Sequence, residues 1–133
     1  MIVKVAKRAI NLGIGEVLVV TGNKSIVGLL NKYSIQCFLT KESHETGTDR
    51  IYEAYRKMNC NIDIILNIQG DLPYFRDELI FSIIDLMNDT SVDIGSAICD
   101  LNNDEYNDSN IVKTEVKLNK KNEGYALDFL RYT

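Results

Sequence analysis

One proline, one histidine and three cysteines are all that 133 residues hold of those three types. No apolar run approaches the roughly 20 residues of a membrane-spanning helix. The amino terminus, Met1 to Arg8, interleaves charge with apolar side chains where a secretory signal needs a continuous apolar centre. Membrane insertion and export are therefore not expected. The formal net charge of −4 leaves no basic stripe for neutralising phosphates, which argues against a general nucleic-acid surface. Anionic ligands must be met by local groups. Cys37, Cys60 and Cys99 are odd in number and form no C-x-x-C pair, so reduced packing thiols in a cytoplasmic protein are expected. The length suits one domain with a core of its own.

What is present alternates. Ile2, Val5, Ala6, Ala9 and Ile10 recur at helical spacing, with Gly13 where a left-handed cap would fall. Glu16 to Thr21 carries the apolar run of a strand covered on both faces, and Asn23 then caps a helix striped by Ile26, Leu29, Leu30 and Tyr33. A strand from Ile35 to Leu39 leads through a polar loop to a helix opened by Asp49, with Ile51, Ala54, Tyr55 and Met58 facing in. A third strand is expected over Ile62 to Ile68, and a helix over Arg76 to Met87 with Leu79, Ile80, Ile83, Ile84 and Met87 inward. This order predicts an α/β fold with a parallel sheet and right-handed crossovers. After Thr90 the pattern changes to three antiparallel strands, Val92 to Leu101, Ile111 to Leu118 and Tyr125 to Leu130, the last two joined by the turn residues Asn119 to Gly124.

Two polar constellations could carry chemistry. The single proline closes the first, Asn67-Ile68-Gln69-Gly70-Asp71-Leu72-Pro73, which follows an apolar run as ligand-binding loops follow strands in α/β sheets. Gly70 permits close backbone approach, and Asp71 is a hard oxygen ligand for magnesium, if a second carboxylate, water or substrate phosphates complete the octahedron. Asp71 equally suits the cap of the helix beyond Pro73. The second is Ser43-His44-Glu45-Thr46-Gly47-Thr48-Asp49-Arg50, a loop that runs into a helix amino terminus. Its N–H groups and Arg50 suit phosphate or a base edge, and the same residues also compose an ordinary helix cap with a surface arginine. His44, the only histidine, has no serine or cysteine nucleophile motif beside it and is expected to order the loop by hydrogen bonding. Lys113 and Arg131 fall at the ends of expected strands.

In this order the segments resemble the CMP-Kdo synthetases, the 3-deoxy-manno-octulosonate cytidylyltransferases of lipopolysaccharide synthesis. The resemblance rests on Met1-Ile2-x-x-Val5-x-x-Arg8-Ala9, Val19-Val20-Thr21, His44-x-Thr46-Gly47-Thr48-Asp49-Arg50, Asn67 to Pro73, Asn110-Ile111-Val112-Lys113 and Gly124-Tyr125-Ala126-Leu127-x-Phe129-x-Arg131, across the whole chain. It implies a three-layer, Rossmann-like nucleotide-diphospho-sugar transferase fold with a mixed sheet. The implied reaction is attack of the anomeric hydroxyl of Kdo on the α-phosphorus of CTP, with loss of pyrophosphate. It further implies Asp71 as catalytic ligand of Mg2+, and Thr46, Gly47, Thr48, Arg50, Gln69 and Gly70 at the nucleotide. Gln69 and Arg131 are implied at the acidic sugar, and a homodimer in the cytoplasm.

The resemblance also carries departures. The family pattern begins with a strand and a basic phosphate loop, and this chain aligns from the following helix to a point before the second metal-binding aspartate. An incomplete domain that is poorly soluble and shows no turnover alone is the resulting expectation. Gly22 stands where the pattern has Asp, and Asp128 and Leu130 where it has Tyr and Ser. Two other readings stay open: a cytidylyltransferase for another acidic sugar of the sialic acid type, and a non-catalytic remnant or interaction module.

Overall fold

The computed structural model describes residues 1–131. Its elements run α1 (Ile2–Leu12), β1 (Val19–Thr21), α2 (Lys24–Asn31), β2 (Cys37–Leu39), α3 (Gly47–Met58) and α4 (Asp77–Leu86). Two compact units result, Met1–Gly95 and Ser96–Thr133.

In the first unit the helices end where their sequence dictates. Gly13 closes α1 at φ 67 with its N–H on the Ile10 carbonyl, the left-handed cap that costs glycine least. Asn23 caps α2 by accepting from the Ser25 N–H. α3 opens two residues earlier than expected: Thr46 is its cap and Asp49 lies in its first turn, favourable to the helix dipole. α4 has Arg76 and Met87 as its flanking residues, with Asp77 and Glu78 in the first turn.

β1 and β2 pair in parallel, with Val19 opposite Cys37, Val20 opposite Phe38 and Thr21 opposite Leu39. Side chains alternate along a strand. Val19 and Cys37 accordingly share a face with the core cluster Ala6, Leu30 and Ile35, packed by Ile2, Val3 and Ile26 of α1 and α2. Phe38 turns to the other face, where the Lys57 ammonium of α3 lies 5.7 Å from its ring centroid. Helices thus cover both faces of the sheet, the three-layer α/β arrangement. Leu30 is fully buried, and its truncation to alanine costs about 2–5 kcal/mol.

Several expectations need correction. Only residues 19–21 and 37–39 of the first two expected strands join a ladder. Ile62 to Ile68 forms no strand, because no segment among the described residues supplies ladder partners, and Ile62, Ile64 and Ile65 stay 38%, 41% and 48% exposed. Leu29, Tyr33 and Leu79 are exposed rather than inward, since the short α2 and α4 bury one residue each, Leu30 and Ile80. Of the three thiols, all free, only Cys37 packs against the core; Cys60 and Cys99 are exposed. No helix among the described residues is long and apolar enough to cross a membrane.

The second unit contains the expected hairpin as two isolated antiparallel pairings, Lys113 with Leu130 and Val116 with Ala126. Its turn is organised by Asn119, whose Oδ1 accepts from the N–H groups of Lys121 and Glu123, while Asn122 takes φ 60. Val92 to Leu101, the third expected strand, forms none, having no paired segment.

Candidate functional site

Local chemistry builds the 40–50 region. Thr46 Oγ1 accepts from the Asp49 N–H at 3.1 Å and donates to Asp49 Oδ2 at 2.6 Å. This reciprocal pair is a close relative of the capping box. It leaves the first helical N–H groups, those of Gly47 and Thr48, without acceptors among the described residues. These are the groups that a helix amino terminus offers to an anion or a carbonyl.

Arg50 is not a free surface arginine. Its Nη1 donates to Thr40 Oγ1 at 3.0 Å and to the Lys41 carbonyl at 2.7 Å. Nη2 donates to the Glu42 carbonyl at 3.1 Å and the His44 carbonyl at 3.2 Å. The guanidinium passes close over Gly22, where a Cβ would lie 2.5 Å from Nη1. Glycine is the residue that leaves this space open.

One turn along α3, Glu53 takes the complementary part. Its Oε2 accepts from the Lys41 N–H at 3.0 Å and lies 2.5 Å from His44 Nε2, and its Oε1 accepts from Lys57 Nζ at 2.6 Å. The hydrogen bond from Lys57, then those from Lys41 and His44, hold the Glu53 carboxyl down at about 2. Hydrogen bonding to an ionised acid favours that form. His44 is therefore the loop-ordering hydrogen bonder that its lone position suggested.

Arg50 also borders a feature that sequence reasoning missed. An open cleft of about 630 Å³ lies beyond the carboxyl end of β1, lined by Thr21, Gly22, Lys24, Ser25, Glu42 and Arg50, among others. The signal was present: Thr21-Gly22-Asn23-Lys24-Ser25 after an apolar run repeats the strand, polar turn and helix pattern that singled out the elbow.

The elbow itself is a turn closed by the Leu72 N–H on the Gln69 carbonyl at 3.1 Å. Close approach at Gly70 is filled by Ile2, whose Cδ1 would meet a Cβ there at 2.9 Å. Gln69 and Asp71 are exposed. Asp71 has no hydrogen bond or ion pair among the described residues, and it does not cap α4, whose cap is Arg76. What tethers the chain beyond the elbow is Arg8 of α1. Its Nη2 donates to the Phe75 carbonyl at 2.6 Å and Asp77 Oδ1 at 2.7 Å, and its guanidinium sits 4.9 Å from the Phe75 ring centroid. Among the described residues no group of three or more His, Cys, Asp or Glu converges to hold a metal. A lone exposed carboxylate fits a magnesium ion whose other positions are filled by water and substrate phosphates.

In the second unit Arg131 Nη1 donates to the Ser109 and Asn110 carbonyls at 3.3 and 3.1 Å, while Lys113 Nζ donates to the Asp108 and Arg131 carbonyls. Both cations fasten the chain locally.

Known proteins resemble this chain over nearly all of its length. A family described as "Cytidylyltransferase" matches residues 1–132. The 3-deoxy-manno-octulosonate cytidylyltransferase of Wigglesworthia glossinidia brevipalpis is 36% identical over 133 residues, covering 98% of this chain and 53% of the relative. Its counterpart in Bartonella henselae is 35% identical, covering 100% and 56% respectively. A solved structure described as CMP:2-keto-3-deoxy-manno-octonic acid synthetase complexed with CTP superposes with a TM-score of 0.74 at 28% identity, covering 98% of this chain and 53% of that one. The chain spans about half the length of the curated relatives it matches.

Proposed function

This chain belongs to the cytidylyltransferase family, and from that membership we propose that it takes part in transferring CMP from CTP to 3-deoxy-manno-octulosonate. The observation that carries the proposal is the superposition of 98% of the chain on a synthetase complexed with CTP. In the proposed reaction the anomeric hydroxyl oxygen of the sugar bonds to the α-phosphorus. The bond from that phosphorus to the pyrophosphate oxygen breaks, and the hydroxyl proton passes to solvent. No covalent enzyme intermediate is needed, so the protein's work is positioning and charge placement.

The residues present suit that work. The acceptor-free N–H groups of Gly47 and Thr48, next to the Thr46 cap, are assigned to the nucleotide, with Gln69 and Gly70 of the elbow. Asp71 is assigned to Mg2+, which when bound offsets the charge of the triphosphate. Arg131, whose Nη2 has no partner among the described residues, is assigned to the sugar carboxylate. The three free thiols support a reducing, cytoplasmic setting.

Titration of the 133-residue chain with CTP, with and without magnesium, tests the reading by amide chemical shifts. Shifts concentrated at Thr46 to Thr48 and Gln69 to Asp71, larger for CTP than for ATP or pyrophosphate, are expected. Equal responses to all three, or none, would sink it.

A further inference from the structure

The loop from Thr40 to His44 makes one hydrogen bond to regular structure, the Thr40 N–H to the Thr21 carbonyl at 2.9 Å. Its other hydrogen bonds run to two side chains on one turn of α3. Arg50 satisfies the acceptors, one hydroxyl and three carbonyls, and Glu53 satisfies the Lys41 N–H and the His44 ring. Backbone groups with no secondary-structure partner must be met somehow. Here a single cation and a single anion meet them with opposite polarity, so the loop has one conformation that satisfies both. Residues three apart on a helix share a face, which is why one turn suffices.

We propose that Glu53, together with Arg50, is a positioning residue for the nucleotide: the pair holds loop 40–44 so that the loop's continuation, Thr46 to Thr48, presents its free N–H groups at a set angle, and neither side chain touches the nucleotide. This rests on the reading given under Proposed function. It assigns Arg50, which resemblance puts at the nucleotide, to the loop instead, because its two terminal nitrogens are already spent on four oxygens. Lys57 bonds Oε1 of Glu53 and leaves Oε2 to the loop, so it is not needed for the hold.

The test is CTP affinity in magnesium, measured by calorimetry on the full chain well below its melting temperature, alongside hydrogen exchange at the Lys41 amide. Glu53→Ala and Arg50→Lys are each expected to weaken CTP binding about tenfold, the effect of losing one such hydrogen-bond contribution. Glu53→Ala should also speed exchange at Lys41. Glu53→Gln, whose amide oxygen still accepts from Lys41, should restore both, and Lys57→Met should change neither. Should Glu53→Ala not fold, Glu53→Asp withdraws the acceptor by one methylene while keeping the charge, and it carries the same expectation. Wild-type binding with unchanged affinity in Glu53→Ala, Glu53→Asp and Arg50→Lys would overturn this inference and leave the proposed function standing. No binding by the wild-type chain would overturn the proposed function, and this inference with it.

Discussion

Two stretches of the first unit look alike in sequence and differ in structure. Thr40 to Met58 and Ile62 to Phe75 each join a polar, glycine-bearing segment to apolar residues, set at helical spacing after it in the first and as a run before it in the second. Apart from the Thr40 N–H on the Thr21 carbonyl, the first is held by bonds spanning 3 to 12 positions: Thr46 to Asp49, Arg50 to four oxygens of the loop, Glu53 to Lys41 and His44. The second has one turn bond of its own, and its firmest tether is Arg8, 67 positions away at the Phe75 carbonyl. A segment that carries its own partners is ordered by local chemistry. One that depends on distant backbone keeps exposed isoleucines and an unpaired carboxylate, however strand-like its sequence.

The sharpest way to break the first stretch is at Gly22. An alanine Cβ there meets Arg50 Nη1 at 2.5 Å and the Lys41 carbonyl and Glu42 Cα at 3.2 Å. The guanidinium must move, giving up hydrogen bonds to the loop. Gly22→Ala is expected to cost about 2 kcal/mol in chemical denaturation, the scale of a charged hydrogen bond lost. In an Arg50→Ala background the same change should cost less than half as much, since residues in contact are non-additive. Additive costs would show that Gly22 matters for some other reason.

That difference in range also governs how far the sequence alone could be read. All four helices of the described residues were visible in the spacing of Val5, Ala6 and Ala9, of Ile26 and Leu30, of Ile51 and Ala54, and of Ile80 and Ile83, because helical periodicity and caps such as Asn23 are local. The strands were legible as apolar runs, yet whether Val17 or Ile64 enters a ladder depends on a partner elsewhere, which propensity does not report. In the site, the Thr46 to Arg50 helix start was legible for the same local reason. What Arg50 binds was not, because it depends on Gly22 and Thr40 being brought beneath it. Glu53 went unnoticed since a glutamate inside a helix looks like any solvated charge until the loop that it meets is placed.

Removing the Thr46 cap is the next smaller perturbation. Thr46→Ala deletes the acceptor for the Asp49 N–H, and an N-cap loss of this kind costs about 1 kcal/mol. Differential exchange should localise the effect to the first turn of α3 and leave residues 62–75 unchanged. A matching effect at the elbow would mean that the two stretches are one cooperative unit, contrary to the comparison.

Acidity separates the stretches in another way. The Glu53 carboxyl, ordinarily near 4.5, is lowered to about 2 in the folded protein. A lowered folded value means that its contribution is fully present above pH 4.5 and is lost as pH falls from there through about 2. Stability of the wild type relative to Glu53→Gln should therefore shrink over that window. Asp89, also held down by the Ser91 N–H and hydroxyl, titrates in both proteins and cancels in the difference. A difference that is flat with pH would show that Glu53 is not held by charge-favouring hydrogen bonds.

The smallest effect on stability is expected at the residue that drew most notice in the sequence. Asp71 has no partner to lose, so Asp71→Asn should shift unfolding free energy by no more than about 0.5 kcal/mol, as for other surface changes away from special features. Its effect belongs to the ligand. If the carboxylate serves magnesium, CTP binding without the metal should be equal in the two proteins, and only the increment added by magnesium should vanish in the variant. A stability loss well above that limit would reveal a structural partner and place the elbow with the self-sufficient stretch. An intact magnesium increment would remove Asp71 from the metal site while leaving the nucleotide assignment of Thr46 to Thr48 untouched, because those groups reach the ligand through α3 and not through the elbow.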